Sequence, residues 1–169
     1  MNSFKLNTYV IGGPENIQER HLLPYETKSA ALVRFVSLFS SLGLDVFQLR
    51  FKNSSDTDFL KLAKEMVQVL KNTSCKLCIN DNVKVVNKLS NDVDILHIGQ
   101  NDMKPELAKN QISNKVKIGL SITDLDQIQN IPSFINPEEI TEEKCKELIK
   151  NRDDYKKKSN YKKKYNKNR

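Results

Sequence analysis

Three polar side chains alternate with apolar ones along residues 45–52, DVFQLRFK, and their chemistry suits an anionic ligand. The valine, phenylalanine and leucine of this stretch favour a short buried strand. Side chains two residues apart share a strand face, so we expect Gln48, Arg50 and Lys52 to point the same way toward its C-terminal end. An amide and two cations are costly in a core without partners, which an anion at the strand end would supply. A surface edge strand with solvated charges is the alternative interpretation.

Polar residues also follow the next three predicted strands. They are Asn80 and Asp81 after the third strand, Gln100 and Asp102 after the fourth, and Ser121 after the fifth. Parallel α/β folds gather their ligand sites at these strand ends. Two carboxylates from neighbouring strands can hold Mg²⁺, which often shares its oxygen ligands with substrate phosphates. Asp81 and Asp102 offer such a pair, and Arg50 and Lys52 would face the same phosphates.

The elements that would carry these residues alternate regularly along the chain. The predicted strands are 8–11, 45–52, 76–79, 94–98 and 116–120. The predicted helices are 31–42, 59–70, 83–89, 105–111 and 124–129, and Thr27 or Ser29 can cap the first. Strands and helices at this spacing predict βαβ units and a parallel sheet. Beyond residue 131 the rhythm breaks, although Phe134 and Ile135 could belong to a sixth strand and residues 141–150 to a charged helix.

Charge is distributed unevenly along the 169 residues, a length that suits one domain. Residues 151–169 hold nine of the 28 Lys and Arg and two of the 21 Asp and Glu, which leaves 19 of each before them. The net charge of +7 therefore lies in the tail, which we expect to be disordered. Three cysteines argue against a disulfide framework, and no run is as long as a membrane span. With no secretory pattern at the N-terminus, a cytoplasmic setting is expected.

Four short strings give the chain a resemblance to a known family. QLRFK at 48–52, IND at 79–81, HIGQND at 97–102 and IGLS at 118–121 resemble thiamine-phosphate synthase in order, spacing and strand-end position. The resemblance covers roughly residues 9–129. Each string alone is weak, but four in register are fairly specific. The resemblance implies a TIM barrel of the superfamily that also contains thiazole tautomerase, which these strings match less well.

The resemblance also implies a reaction and a set of site residues. The family condenses hydroxymethylpyrimidine pyrophosphate with thiazole phosphate, giving thiamine phosphate and pyrophosphate. Carried across by motif, Arg50 and Lys52 would be catalytic, and Asp81 and Asp102 would bind Mg²⁺. The substrate-binding residues would be Gln48, Arg50, Lys52, Asn80, Gln100 and Ser121.

The chain departs from the family after the fifth βα unit. The family continues with a glycine-containing strand and glycine-rich loops that hold the thiazole phosphate, where this chain reads PSFINPEEI and then the lysine tail. We therefore predict a partial TIM-barrel domain at 1–131 with about five βα units, a divergent segment at 132–150 and a disordered tail at 151–169. A second copy or a partner could complete the barrel.

Several alternatives stay open at this point. The chain could be a non-catalytic remnant that at most binds the pyrimidine pyrophosphate, or its basic tail could bind nucleic acid, although a solvated extension is the simpler interpretation. The pair Cys75 and Cys78 favours ordinary buried cysteines over a redox or zinc site. His97 falls inside a strand, where a hydrogen-bonded packing role is favoured over catalysis.

Overall fold

The structure is a computed structural model that describes residues 8–124 and 126–135. Its contacts divide the chain into two units, residues 1–121 and 122–169, which are described separately. Within the described ranges, no helix is long and apolar enough to cross a membrane. The predicted domain boundary at 131 stays a prediction.

The first unit is a five-stranded sheet in which every neighbouring pair runs parallel and the order is β1-β2-β3-β4-β5. The strands are β1 (Tyr9–Gly12), β2 (Val46–Leu49), β3 (Lys76–Asn80), β4 (Ile95–Ile98) and β5 (Lys117–Leu120). The helices between them are α1 (Lys28–Ser41), α2 (Asp56–Leu70), α3 (Val83–Lys88) and α4 (Pro105–Lys109). The predicted parallel α/β fold is thereby confirmed. Within the described residues the sheet does not close into a barrel, because β1 and β5 are its two edges.

Local capping explains where the helices begin. The Thr27 side chain accepts a hydrogen bond from the backbone N–H of Ala30 at the start of α1, as one of the two predicted caps. The Ser55 hydroxyl does the same for the N–H of Asp58 in α2. At the other end of α1, Gly43 adopts φ 96°, a conformation that glycine reaches without steric cost. Capping residues thus account for both ends of α1 and for the start of α2.

The core lies between the sheet and the helices. Its largest fully buried side chains include Phe47 and Leu49 of β2 and Leu77 and Ile79 of β3. They belong to the same apolar cluster as residues such as Met66 of α2. Burial of one such side chain contributes about 1.5–3 kcal/mol to the stability of the fold. Packing of this face therefore holds the strands in place, and the polar residues at the strand ends are positioned with them.

Two predicted strands differ from the structure. The strand predicted at 45–52 is shorter, because β2 ends at Leu49 and Lys52 lies in a turn followed by Asn53 at φ 57°. The suggested sixth strand at Phe134 and Ile135 is wrong for these two residues, which lie in a turn closed by the N–H of Ile135 donating to the carbonyl of Pro132 (2.9 Å).

The second unit contributes one short helix to the described part of the chain. This helix, α5, spans Asp126–Gln129, close to the predicted 124–129. The predicted charged helix at 141–150 and the lysine-rich tail lie outside the described residues.

Candidate functional site

The end of β2 separates the three polar residues that the sequence placed on one face. Gln48 lies within the strand and is 2% exposed. Arg50 follows the strand and is half-buried, and its N–H donates to the carbonyl of Gly12 (2.9 Å). Lys52 is exposed in the next turn. The prediction of a single strand face is therefore wrong for Lys52, since the extended conformation stops before it.

The end of β3 carries Asn80 and Asp81 into a tight turn. Asp81 has φ 60°, a conformation that aspartate tolerates better than most residues. Its N–H donates to the carbonyl of His97 on β4 (2.8 Å), and its carbonyl accepts from Val83 (3.1 Å) at the start of α3. The turn thus ties the backbone of Asp81 to β4 on one side and to the start of α3 on the other.

A row of side-chain hydrogen bonds connects three strands to this carboxylate. The Tyr9 hydroxyl donates to Oε1 of Gln48 (2.7 Å), and Nε2 of Gln48 donates to Oδ1 of Asn80 (2.5 Å). Nδ2 of Asn80 in turn donates to Oδ2 of Asp81. Gln48 and Asn80 are therefore held in one orientation each, which the sequence alone did not reveal.

The two carboxyl groups predicted to bind metal lie against each other. Burial raises the pKa of Asp81 to about 6, and so do its hydrogen bond to Asp102 and the charge of that carboxylate, although the charge of Arg50 opposes that shift. Asp102 is held by the N–H of Gly99, which donates to its Oδ2 (2.8 Å). A Cβ on Gly99 would lie 2.6 Å from that oxygen, so glycine is needed for this approach.

This pair fits a divalent cation. Two carboxylates in contact repel each other, and this repulsion adds to burial, the largest cause, in raising the pKa of Asp81. Mg²⁺ typically takes one or two carboxylates and fills its other positions with water and substrate phosphates. Among the residues that the structure describes, no cluster of three or more His, Cys, Asp or Glu could hold a metal, so a cation here would have only these two carboxylates as charged protein ligands.

The ends of β4 and β5 are joined by polar contacts. Nε2 of His97 lies 2.9 Å from the hydroxyl of Ser121, and Nε2 of Gln100 donates to the Ser121 carbonyl (2.5 Å). Burial lowers the pKa of His97, which keeps the ring neutral at neutral pH. His97 is therefore half-buried and hydrogen-bonded, as the sequence predicted.

One open cleft of about 460 Å³ brings half of the predicted residues together. Its lining includes Arg50, Lys52, Asn80 and Asp81. The other four predicted residues are not part of its lining. Gln48 and Asp102 contact the lining residues Asn80 and Asp81, whereas Gln100 and Ser121 contact each other at the ends of β4 and β5. The cleft combines cations, an amide and a carboxylate, a set that suits a phosphorylated ligand with a metal.

Sequence reasoning missed three residues on the same cleft. Asp56, the first residue of α2, accepts from Nδ2 of Asn82 (2.9 Å) and from Nζ of Lys84 (3.1 Å). Oδ1 of Asn82 caps α3 by accepting from the N–H of Val85 (3.0 Å). Through these two hydrogen bonds, Asp56 stabilises the turn that carries Asp81. In the sequence it resembles any acidic residue in a first helical turn, so no local signal identifies this contact.

Comparison with known proteins identifies relatives of this chain. A family model described as thiamine monophosphate synthase matches residues 21–134. Thiamine-phosphate synthase of Prochlorococcus marinus is 33% identical over 102 residues, and that of Vibrio campbellii is 34% identical over 105 residues. These matches cover 60% and 62% of this chain but only 29% and 50% of the relatives.

A solved structure gives the same result. Thiamine phosphate pyrophosphorylase from Pyrococcus furiosus aligns with a TM-score of 0.57 and 25% identity. The alignment covers 75% of this chain and 55% of that protein. The chain therefore spans about half or less of the length of the relatives it matches.

Proposed function

The chain belongs to the thiamine monophosphate synthase family, and from that premise we propose that it acts in thiamine biosynthesis as a thiamine-phosphate synthase. The substrates would be hydroxymethylpyrimidine pyrophosphate and thiazole phosphate. The bond between the pyrimidine methylene carbon and the pyrophosphate oxygen breaks, and pyrophosphate leaves with the electron pair. The thiazole nitrogen then forms a bond to that carbon, giving thiamine phosphate.

The described residues would serve the departure of pyrophosphate. Arg50 and Lys52 line the cleft as cations, and guanidinium and ammonium groups stabilise the charge that develops on a leaving phosphate. Gln48 and Asn80, fixed by their mutual hydrogen bond, would contact the pyrimidine pyrophosphate. Gln100 and Ser121 would add donors at the ends of β4 and β5.

Asp81 and Asp102 would hold Mg²⁺ in this proposal. The bound ion supplies positive charge that neutralises the leaving pyrophosphate. The role of the protein is to keep the two carboxylates in contact, which Gly99 and Asn80 do through their N–H groups. The observation that carries the proposal is this carboxylate pair beside a cleft lined by Arg50, Lys52 and Asn80.

Two measurements on the purified chain test the proposal. Isothermal titration with hydroxymethylpyrimidine pyrophosphate, with and without Mg²⁺, is expected to give binding that depends on the metal. Incubation with both substrates and Mg²⁺ is expected to release pyrophosphate and form thiamine phosphate. Absence of metal-dependent binding contradicts the site, and absence of product in a chain that binds contradicts the synthase activity.

A second candidate is a chain that binds the pyrimidine pyrophosphate without condensing it. The observation that favours it is that the described strand ends carry the residues predicted to contact the pyrophosphate, whereas none of the described residues is predicted to bind the thiazole phosphate. Holding two reactants together supplies roughly 7–11 kcal/mol of a condensation barrier when geometry is good. Strong binding with turnover far below that of a full-length relative distinguishes this candidate.

The remaining sequence-based expectations belong to the same proposal. Strands from a second copy or a partner would complete the barrel, and the reaction would take place in the cytoplasm. Sedimentation of the purified chain tests the first, and localisation of a tagged chain tests the second.

A further inference from the structure

The hydrogen-bonded row from Tyr9 to Asp81 has a fixed direction. A carboxylate only accepts hydrogen bonds, so Asn80 must present Nδ2 to Asp81 and its Oδ1 to the neighbouring strand. That oxygen accepts from Nε2 of Gln48 (2.5 Å), which turns Oε1 of Gln48 toward β1. The orientation of two amides therefore follows from the Asp81 carboxylate, provided that a donor meets Gln48 at the far end.

Tyr9 is that donor. Its hydroxyl lies 2.7 Å from Oε1 of Gln48, and the register of the sheet sets Tyr9 beside Val46, two residues before Gln48. Gln48 itself is 2% exposed, so water has little access to its amide. A buried amide oxygen of Gln48 without a hydrogen-bond donor is unfavourable. If the Gln48 amide rotated, its NH₂ group would face the tyrosine and its bond to Asn80 would be lost.

We propose that Tyr9 is a positioning residue, which fixes the Gln48 amide and through it the orientation of Asn80 at the site. This inference rests on the proposed function for its effect on ligand binding, but not for the row itself. Tyr9 does not line the cleft, so its influence passes through Gln48.

The first test examines the row in the ligand-free chain. In Tyr9→Phe the ring stays and only the hydroxyl is lost. The side-chain amide resonances of Gln48 and Asn80, assigned by NMR in the ¹⁵N-labelled chain, are expected to shift and broaden as the two amides lose their single orientation. Tyr25→Phe is the matched control, because Tyr25 is fully exposed in a loop. Unchanged Gln48 and Asn80 signals in Tyr9→Phe would overturn the proposal.

The second test measures binding of hydroxymethylpyrimidine pyrophosphate in the presence of Mg²⁺. Tyr9→Phe is expected to weaken binding by up to about tenfold, the upper end of what loss of one hydrogen bond costs, whereas Tyr25→Phe leaves it unchanged. In a Gln48→Met background, the same Tyr9→Phe change is expected to cost less than about twofold, because residues that act through one contact are not additive. If Tyr9 only stabilised the fold, Tyr9→Phe would weaken binding equally in the wild-type and the Gln48→Met backgrounds.

The two tests separate the inference from the function on which it rests. A wild-type chain that fails to bind the pyrimidine pyrophosphate overturns the proposed function and the binding role of Tyr9. The NMR experiment still tests whether Tyr9 orients the amides of Gln48 and Asn80 in that case. A wild-type chain that binds, with Tyr9→Phe binding equally well, overturns the positioning role alone. Thermal unfolding followed by circular dichroism verifies that each variant is folded.

Discussion

Gly13 lies directly against the backbone of Arg50, so closely that a Cβ at position 13 would collide with the Arg50 carbonyl oxygen. The N–H of Arg50 also donates to the carbonyl of Gly12 (2.9 Å). The loop after β1 and the residue after β2 are thus packed together along their main chains. This contact fixes where the Arg50 side chain leaves the sheet.

Gly13→Ala is expected to destabilise the chain and to weaken pyrophosphate binding. The added methyl meets backbone, which cannot move as a side chain can, and overpacking of this kind costs typically about 1–3 kcal/mol. Urea unfolding measures the loss. Gly12→Ala is the matched control, because its Cβ would meet its nearest neighbours at 3.9 Å, an ordinary contact. Equal effects of the two substitutions would show that the close approach to Arg50 is not important.

Asp81→Asn and Asp102→Asn are each expected to abolish the Mg²⁺-dependent part of pyrimidine pyrophosphate binding. Each change removes a charged oxygen ligand and leaves the shape of the side chain nearly intact. Isothermal titration with and without Mg²⁺ measures the difference. Asp92→Asn, at an exposed position outside the cleft, controls for the change in net charge. Equal metal-dependent binding by the wild type and Asp102→Asn would rule out the metal site.

The stability of the ligand-free chain is expected to fall as the pH rises through about 6. Burial and Asp102 raise the pKa of Asp81 from 3.8 to about 6, so the folded chain holds this proton more tightly than the unfolded chain. The resulting stabilisation is complete below the pKa of Asp81 in the unfolded chain. It is lost as the pH rises above the pKa of Asp81 in the folded chain.

Asp81→Asn removes that dependence, because the asparagine carries no charge. We expect it to raise the free energy of unfolding at pH 8 by about 1 kcal/mol, an amount reduced for the partial exposure of this group, and to have little effect near pH 4. Urea unfolding at both pH values provides the measurement. A gain of the same size at both would mean that the Asp81 charge is not its source.

Asp56→Ala is expected to loosen the turn that carries Asp81. The substitution removes the acceptor of both Asn82 and Lys84, so the amides of residues 80–86 should exchange their hydrogens several-fold faster. Lys84→Met is the control, since it removes only an exposed ion pair and exposed pairs contribute little. If both variants exchange alike, the hydrogen bond to Asn82 does not brace the turn.

Cys75 and Cys78 are expected to resist alkylation in the native chain. Both are free and buried, which confirms the interpretation of this pair as ordinary buried cysteines. Burial raises the pKa of both thiols, that of Cys78 to about 12, so almost no thiolate forms at neutral pH. Iodoacetamide labelling followed by mass spectrometry, in a Cys145→Ser background, tests this. Rapid labelling of Cys78 in the folded chain would contradict its burial.

The order of elements could be predicted from the sequence because local signals agree with the fold. Helical periodicity and capping residues define α1 and α2, and the polar residues after the strands mark the edge of the sheet where the candidate site lies. The end of β2 was harder to predict. Phe51 continues the alternation of DVFQLRFK, but the chain turns at Asn53, so the pattern extends the strand too far.

Contacts between distant segments could not be predicted from the sequence. The bond from Tyr9 to Gln48 depends on the register of β1 against β2, and that of Asp56 to Asn82 depends on how two helices start beside each other. Neither the register of two strands nor the relative placement of two helices can be predicted from composition or residue spacing. Only the folded sheet shows that a tyrosine on β1 reaches the amide row.

Because each strand pairs with the next strand in the sequence, the sheet grows in the direction in which a ribosome releases the chain. Every residue of the candidate site lies before Ile122, within the first unit. Each new strand therefore finds its neighbour already synthesised, and the two strands that precede the carboxylate pair, β3 and β4, are consecutive in the chain and paired in the sheet. This topology therefore allows the site to be assembled strand by strand in the order of translation, from the amide of Gln48 to the hydroxyl of Ser121.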